Sequence, residues 1–190
     1  MSNIKVAFSE FEIKNASIKF NDEEEGTFEK LGCVGSLEEE LEILVVTKKC
    51  EGVIAKSRSI GTGAGSLTAS LHMRYDLFVK AFGMDIEGLA DGVYAYGKNS
   101  RNKEFTFVAQ VKDEDGNVKY VAYPKVIMTN APTGSIENGV EEIAEIEIEM
   151  SLMPDDYGNC KYQAVASELD ETIANQWMSA WTPELMQKTE

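Results

Sequence analysis

A mostly antiparallel β domain with a flanking short helix and a C-terminal helix is the fold class this sequence predicts. Three observations predict it. Residues 67–73 (LTASLHM) and 145–152 (EIEIEMSL) alternate apolar and polar side chains with the strand period of two. Residues 104–111 and 118–128 flank the turn sequence DEDGN, which is the pattern of a β-hairpin. Helical spacing is confined to two short stretches.

The elements follow in order. Residues 1–20 mix apolar and polar positions and read as a strand carried on an N-terminal arm. Residues 21–26 (NDEEEG) are a solvated turn. Residues 41–47 (LEILVVT) are rich in branched side chains and predict a strand. Residues 48–66 (KKCEGVIAKSRSIGTGAGS) are basic, end in three alternating glycines and read as a long mobile loop. The strand at 67–73 sets Leu67, Ala69, Leu71 and Met73 against Thr68, Ser70 and His72. Residues 75–82 place apolar side chains at 77, 78, 81 and 82, a short helix stopped by Gly83. Phe105, Phe107, Ala109 and Val111 then share one face of a strand. After the strand at 145–152 comes the loop PDDYGN. Ser167 is positioned to cap a last helix with Leu169, Ile173, Trp177 and Trp181 spaced by four. Thr182-Pro183 begins a further turn. This gives six to eight strands and two short helices in a single domain over 1–190, with an arm at 1–20, a loop at 48–66 and a helical segment at 167–190.

Composition sets the limits on function. The 190 residues are 43% hydrophobic, enough for a real core. No run approaches the ~20 apolar residues of a membrane helix, and the first residues lack a signal pattern, so the expectation is a protein made in a cytosol. Net charge is −15, and from residue 135 onward thirteen acids face two bases. Such a chain does not hold DNA by neutralising phosphates; it repels DNA or attracts a basic partner. The bases gather mid-chain, at Lys48, Lys49, Lys56 and Arg58 and again at Arg74, Lys98, Arg101 and Lys103. Cys33, Cys50 and Cys160 are an odd count at wide spacing, so they read as reduced, mostly buried thiols rather than a disulfide framework or zinc site.

Three motifs resemble chemistry and fail on their spacing. DEDGN has an EF-hand's alternating oxygens, but Val118 stands where that loop needs glycine and Pro124 where it needs glutamate. GTGAGS lacks the Gly-Lys-Ser/Thr of a phosphate loop and leads into a strand. His72 could pair with Ser70 in a hydrolase, yet no nucleophile elbow and no second histidine accompany it. The reading is a protein with no catalytic residue, metal site or cofactor. Glu145, Glu147 and Glu149 remain the unusual feature: three like charges about 7 Å apart on one strand face.

Five segments in order carry a resemblance: KLGCVGSLEEELEILVVTKKCEG, GTGAGSLTASLHMRYDLFVKAFGMD, GVYAYGKNS, EFTFVAQVKDEDGNVKYVAYPKVIM and NGVEEIAEIEIEMSLMPDDYGNCKYQAV. Together, over roughly 30–180, they resemble the major tail tube proteins of phages with long non-contractile tails, in the group found in Gram-positive hosts. The resemblance implies a tail-tube-like β-sandwich or half-barrel. It implies hexameric rings that stack into a hollow tube within the virion, assembled in the host cytoplasm. The implied partners are copies of the chain itself, the tape measure protein and the tail terminator and tip proteins, and DNA passes through without specific binding. It also implies that Glu145, Glu147 and Glu149 face the lumen, and that Lys48, Lys49, Lys56 and Arg58 lie on a ring-stacking loop. Two alternatives stand beside this reading. One is the inner tube of a contractile tail or of a phage-derived bacteriocin particle; the other is a small-molecule-binding β-barrel.

Overall fold

The computed structural model describes residues 7–23 and 26–188. Eight strands form one antiparallel sheet: β1 (Glu10–Phe20), β2 (Glu29–Lys30), β3 (Gly32–Cys50), β4 (Val53–Met73), β5 (Phe105–Asp113), β6 (Val118–Met128), β7 (Ile146–Met153) and β8 (Tyr162–Val165). The strand order is β2-β1-β5-β6-β7-β4-β3, with β8 on the part of β6 that β7 leaves free. Helix α1 (Tyr75–Ala81) follows β4, and α2 (Glu171–Trp177) lies near the C-terminus between two 3-10 turns.

The two ends of this order are one run of chain. Only Leu31 separates β2 from β3, and it joins both edges: its N–H donates to the Ala16 carbonyl and its carbonyl accepts from the Arg74 N–H, each at 2.9 Å. The sheet therefore closes on itself at this corner, and closure removes sheet edges. Gly32 makes the turn possible. Its φ is +138°, and a Cβ there would stand 2.0 Å from the His72 carbonyl oxygen. Gly32→Ala is expected to destabilise the fold by more than about 1 kcal/mol, read as a lower urea midpoint with an unchanged slope.

Away from the corner β1 and β3 diverge. The gap is an open cleft of about 690 Å³ floored by Val111, Val121 and Tyr123. Glu39 turns inward here: it accepts a hydrogen bond from the Tyr123 hydroxyl and pairs with Lys161. Burial, then the Glu39 carboxylate, pushes the Tyr123 phenol far up, so the phenol stays a donor. The half-barrel is thus closed at one end and splayed at the other.

Side chains fill the interior. Ile18, Phe20, Leu67, Leu71, Phe105, Phe107, Val126, Ile148 and Leu152 meet there with Leu77 and Phe82 from the α1 segment. Residues 75–82 read correctly as the helix, and Gly83 ends it in the left-handed region at φ +57°. A second cluster lies on the outside of β5 and β6, where Trp177 and Trp181 cover Val108 and Ala122. Trp177 stacks on Tyr120 with ring centroids 5.7 Å apart. β5 is therefore buried on both faces, although its sequence alternates as a one-sided strand.

The DEDGN turn forms as expected. The Asp113 carboxylate accepts from the backbone N–H groups of Asp115 and Asn117 and from the Asn117 amide, and these bonds lower its pKa. PDDYGN repeats the device: Asp155 accepts from the backbone of Tyr157 and Asn159. Burial, then the hydrogen bond to Asp155, pushes the Tyr162 phenol up to about 12.

Three expectations need correction. Residues 10–20 are no arm: β1 pairs with β2 and β5 and buries Ala16, Ile18 and Phe20, because its apolar side chains face the barrel interior. The expected arm over 1–6 lies outside the described residues. Residues 48–66 are no loop. They belong to β3 and β4, which pair, through three register shifts, out to Cys50 and Val53. The two residues between them, Glu51 and Gly52, have φ of +51° and +83°, the type I′ form that matches strand twist. Finally, Asp170 rather than Ser167 caps the last helix, accepting from the Thr172 N–H at 2.9 Å, and the helix has only seven residues. Trp181 lies beyond its end, so the spacing by four is not one continuous helical face.

Candidate functional site

Two charged surfaces lie at opposite ends of the β3–β4 ribbon. The first is the outer face of β3, β4 and β7. Register sets its rows. Leu67, Ala69 and Leu71 of β4 oppose Met150, Ile148 and Ile146 of β7 on the core side. The other parity puts Thr68 opposite Glu149 and Ser70 opposite Glu147 on the outer side. Glu147 and Glu149 are exposed while Ile148, Met150 and Leu152 are buried, so the alternation in the sequence is realised side for side.

β3 extends the acidic face. Glu38 opposes Thr68 and so lies in the row of Glu149, while Glu40 opposes Ser66, one row further on the same face. Glu145, just before β7, lays its carboxylate where a Cβ on Gly35 would stand. Glu38, Glu40, Glu145, Glu147 and Glu149 have no ion-pair partner among the described residues. Sequence reading missed Glu38 and Glu40. The run LEEELE alternates imperfectly because Glu39 points inward to Tyr123, and that inward carboxylate masks the pattern.

The second surface is the distal part of the hairpin. β7 pairs with β4 only as far as Gly65, so beyond that point the ribbon leaves the barrel as two strands alone. Its base irregularity, where Glu42 faces residues 62–64, is a bulge. Cross-strand pairs share a face, so Leu44 with Ile60, Val46 with Arg58, and Lys48 with Lys56 form one side. Lys48, Lys56 and Arg58 thus come together, while Lys49 opposes Ile54 after a register shift. None of these four cations has an ion-pair partner among the described residues. Ile43, Leu44, Val45, Val46, Val53, Ile54 and Ile60 are all exposed.

The remaining chemistry-bearing residues are scattered. His72 is exposed on β4 opposite Cys33. Cys33 and Cys50 are exposed and Cys160 is buried, so all three thiols are free but two are not buried as expected. Among the described residues no group of three histidine, cysteine or acidic side chains is arranged to hold a metal ion, and no helix is long and apolar enough to cross a membrane.

Comparison with solved structures finds a likeness to a phage-derived tail assembly. A chain in the cryo-EM structure of the anti-feeding prophage baseplate, 6-fold symmetrised, is similar over 86% of this chain and 97% of its own length, with a TM-score of 0.42 and 11% sequence identity. No family model and no curated protein matches the chain.

Proposed function

We propose that this chain is a structural subunit of a phage tail, and within it of the tube: six copies form a ring, and rings stack into a hollow conduit. The observation that carries this reading is the distal hairpin. A two-stranded ribbon is marginal on its own in water, and this one exposes seven large aliphatic side chains and unpaired edges on both strands. Surfaces of this kind on a monomer invite association. Here association is the purpose, with the hairpin of one ring lying against the next and Lys48, Lys49, Lys56 and Arg58 at the contact. A head-to-tail contact that does not close builds an open filament.

The acidic face complements this role. Glu145, Glu147 and Glu149 face the lumen and repel phosphate, so DNA slides through without being held. The sequence resemblance to tail tube proteins agrees with both assignments and brings the tape measure, terminator and tip proteins as partners, in a virion built in the host cytoplasm. The subunit works by assembly and catalyses nothing. Negative-stain microscopy of the concentrated purified protein is expected to show six-fold rings or tubes. A monodisperse monomer at every concentration and salt condition overturns the reading.

A further inference from the structure

A second cleft, of about 440 Å³, opens between the barrel wall and the C-terminal segment. Five carboxylates line it (Glu23, Glu104, Asp155, Asp156, Glu184) against the two ammonium groups of Lys19 and Lys125. Glu23 is held by Lys80 and Asp156 by Lys125. Glu104 and Glu184 have no ion-pair partner among the described residues. Trp181 forms part of the wall. It is 1% exposed, and its indole N–H has no acceptor among the described residues. Five carboxylates against two ammonium groups leave the cleft with excess negative charge, so it favours a guest that brings positive charge.

The distal hairpin carries that charge. Its outermost stretch holds Lys48, Lys49, Lys56 and Arg58 with Glu51 as the single acid. Lys48 stands directly opposite Lys56. Like charges in that arrangement repel, and an acidic receptor removes the repulsion. Excess negative charge in the cleft meets excess positive charge on the tip, and both belong to the same chain.

We propose that the cleft beside Trp181 is the receptor for the tip of the β3–β4 hairpin of a second copy, with Lys48, Lys56 and Arg58 set against Glu104 and Glu184. This rests on the reading of the chain as a stacking subunit and names the surface on which the stacking occurs. The contact joins two different patches, so each copy donates a tip and offers a cleft, and the chain of contacts propagates.

The native Cys50 at the tip provides the test. The full chain carrying Glu184→Cys in a Cys33→Ser background is concentrated, imaged, and then treated with a mild oxidant. The expected result is a ladder of disulfide-linked dimers and higher species that disappears when Cys50→Ser is added. Tubes without a Cys50-dependent ladder overturn the docking site and leave the tube reading standing. A ladder without rings or tubes upholds the docking site and counts against the tube. Charge exchange gives a second measurement. Lys48→Glu with Lys56→Glu, and separately Glu104→Lys with Glu184→Lys, are each expected to slow assembly at least ten-fold. The combination is expected to restore it, and failure of the combined variant when both halves remain folded overturns the pairing.

Discussion

Replacing residues 45–59 by an Asn-Gly turn is expected to give a folded monomer that forms no tubes. Leu44 and Ile60 are a cross-strand pair, so a two-residue turn of that type rejoins them with matched twist. The residues removed are exposed and outside both buried clusters, so thermal unfolding is expected to stay within a few degrees of the parent. Assembly is a different matter. A large aliphatic side chain contributes roughly 1.5–3 kcal/mol when fully buried. Val45, Val46, Val53 and Ile54 leave together in this variant, and with them every cation of the tip. Several kcal/mol lost at each repeated contact moves the polymerisation threshold by orders of magnitude, since ~1.4 kcal/mol is ten-fold. Size-exclusion chromatography and microscopy of the same sample check both halves of the expectation. Normal tubes from the shortened chain remove the hairpin from the stacking contact.

Changing Glu145, Glu147 and Glu149 to lysine is expected to leave assembly intact and to arrest genome ejection at low salt. The fold tolerates the change because the opposite parity of β7 holds the core: Ile148, Met150 and Leu152 remain buried. No ion pair among the described residues is lost. In a six-fold ring three carboxylates per copy become about eighteen, close enough for their fields to overlap within a Debye length of about 8 Å. Reversing them turns a repelling wall into one that binds phosphate, and the defect eases as salt rises because counterion release then favours binding less. Ejection efficiency at two salt concentrations is the measurement. Normal ejection at low salt places these glutamates on the tube exterior. Glu38 and Glu40 share the face and remain acidic in this variant, so adding their reversal is expected to deepen the arrest.

The strands at 67–73 and 145–152, the DEDGN hairpin and the helix at 75–82 were legible because their signals are local. A period of two, a turn dipeptide and a glycine stop each act within a few residues. The acidic row of β7 was legible for the same reason, and so was the mid-chain cluster of cations. Tertiary structure decided what no local signal holds. Residues 48–66 look like a loop, because glycine and lysine are poor strand formers, but 58–61 pair with the branched run at 43–46 and 53–56 pair with 48–50, so the segment is the distal parts of β3 and β4. The N-terminal segment became an inner wall of the barrel because Leu31 bonds to both Ala16 and Arg74 and closes the sheet. Glu38 and Glu40 joined the acidic face only through the register of β3 on β4, fixed by the core side of the same strands. The cleft at Trp181 exists because the C-terminal turns pack across β5 and β6. Sequence order fixes neighbours along the chain; burial of the apolar parity fixes neighbours across it, and the charged surfaces follow as what that burial leaves outside.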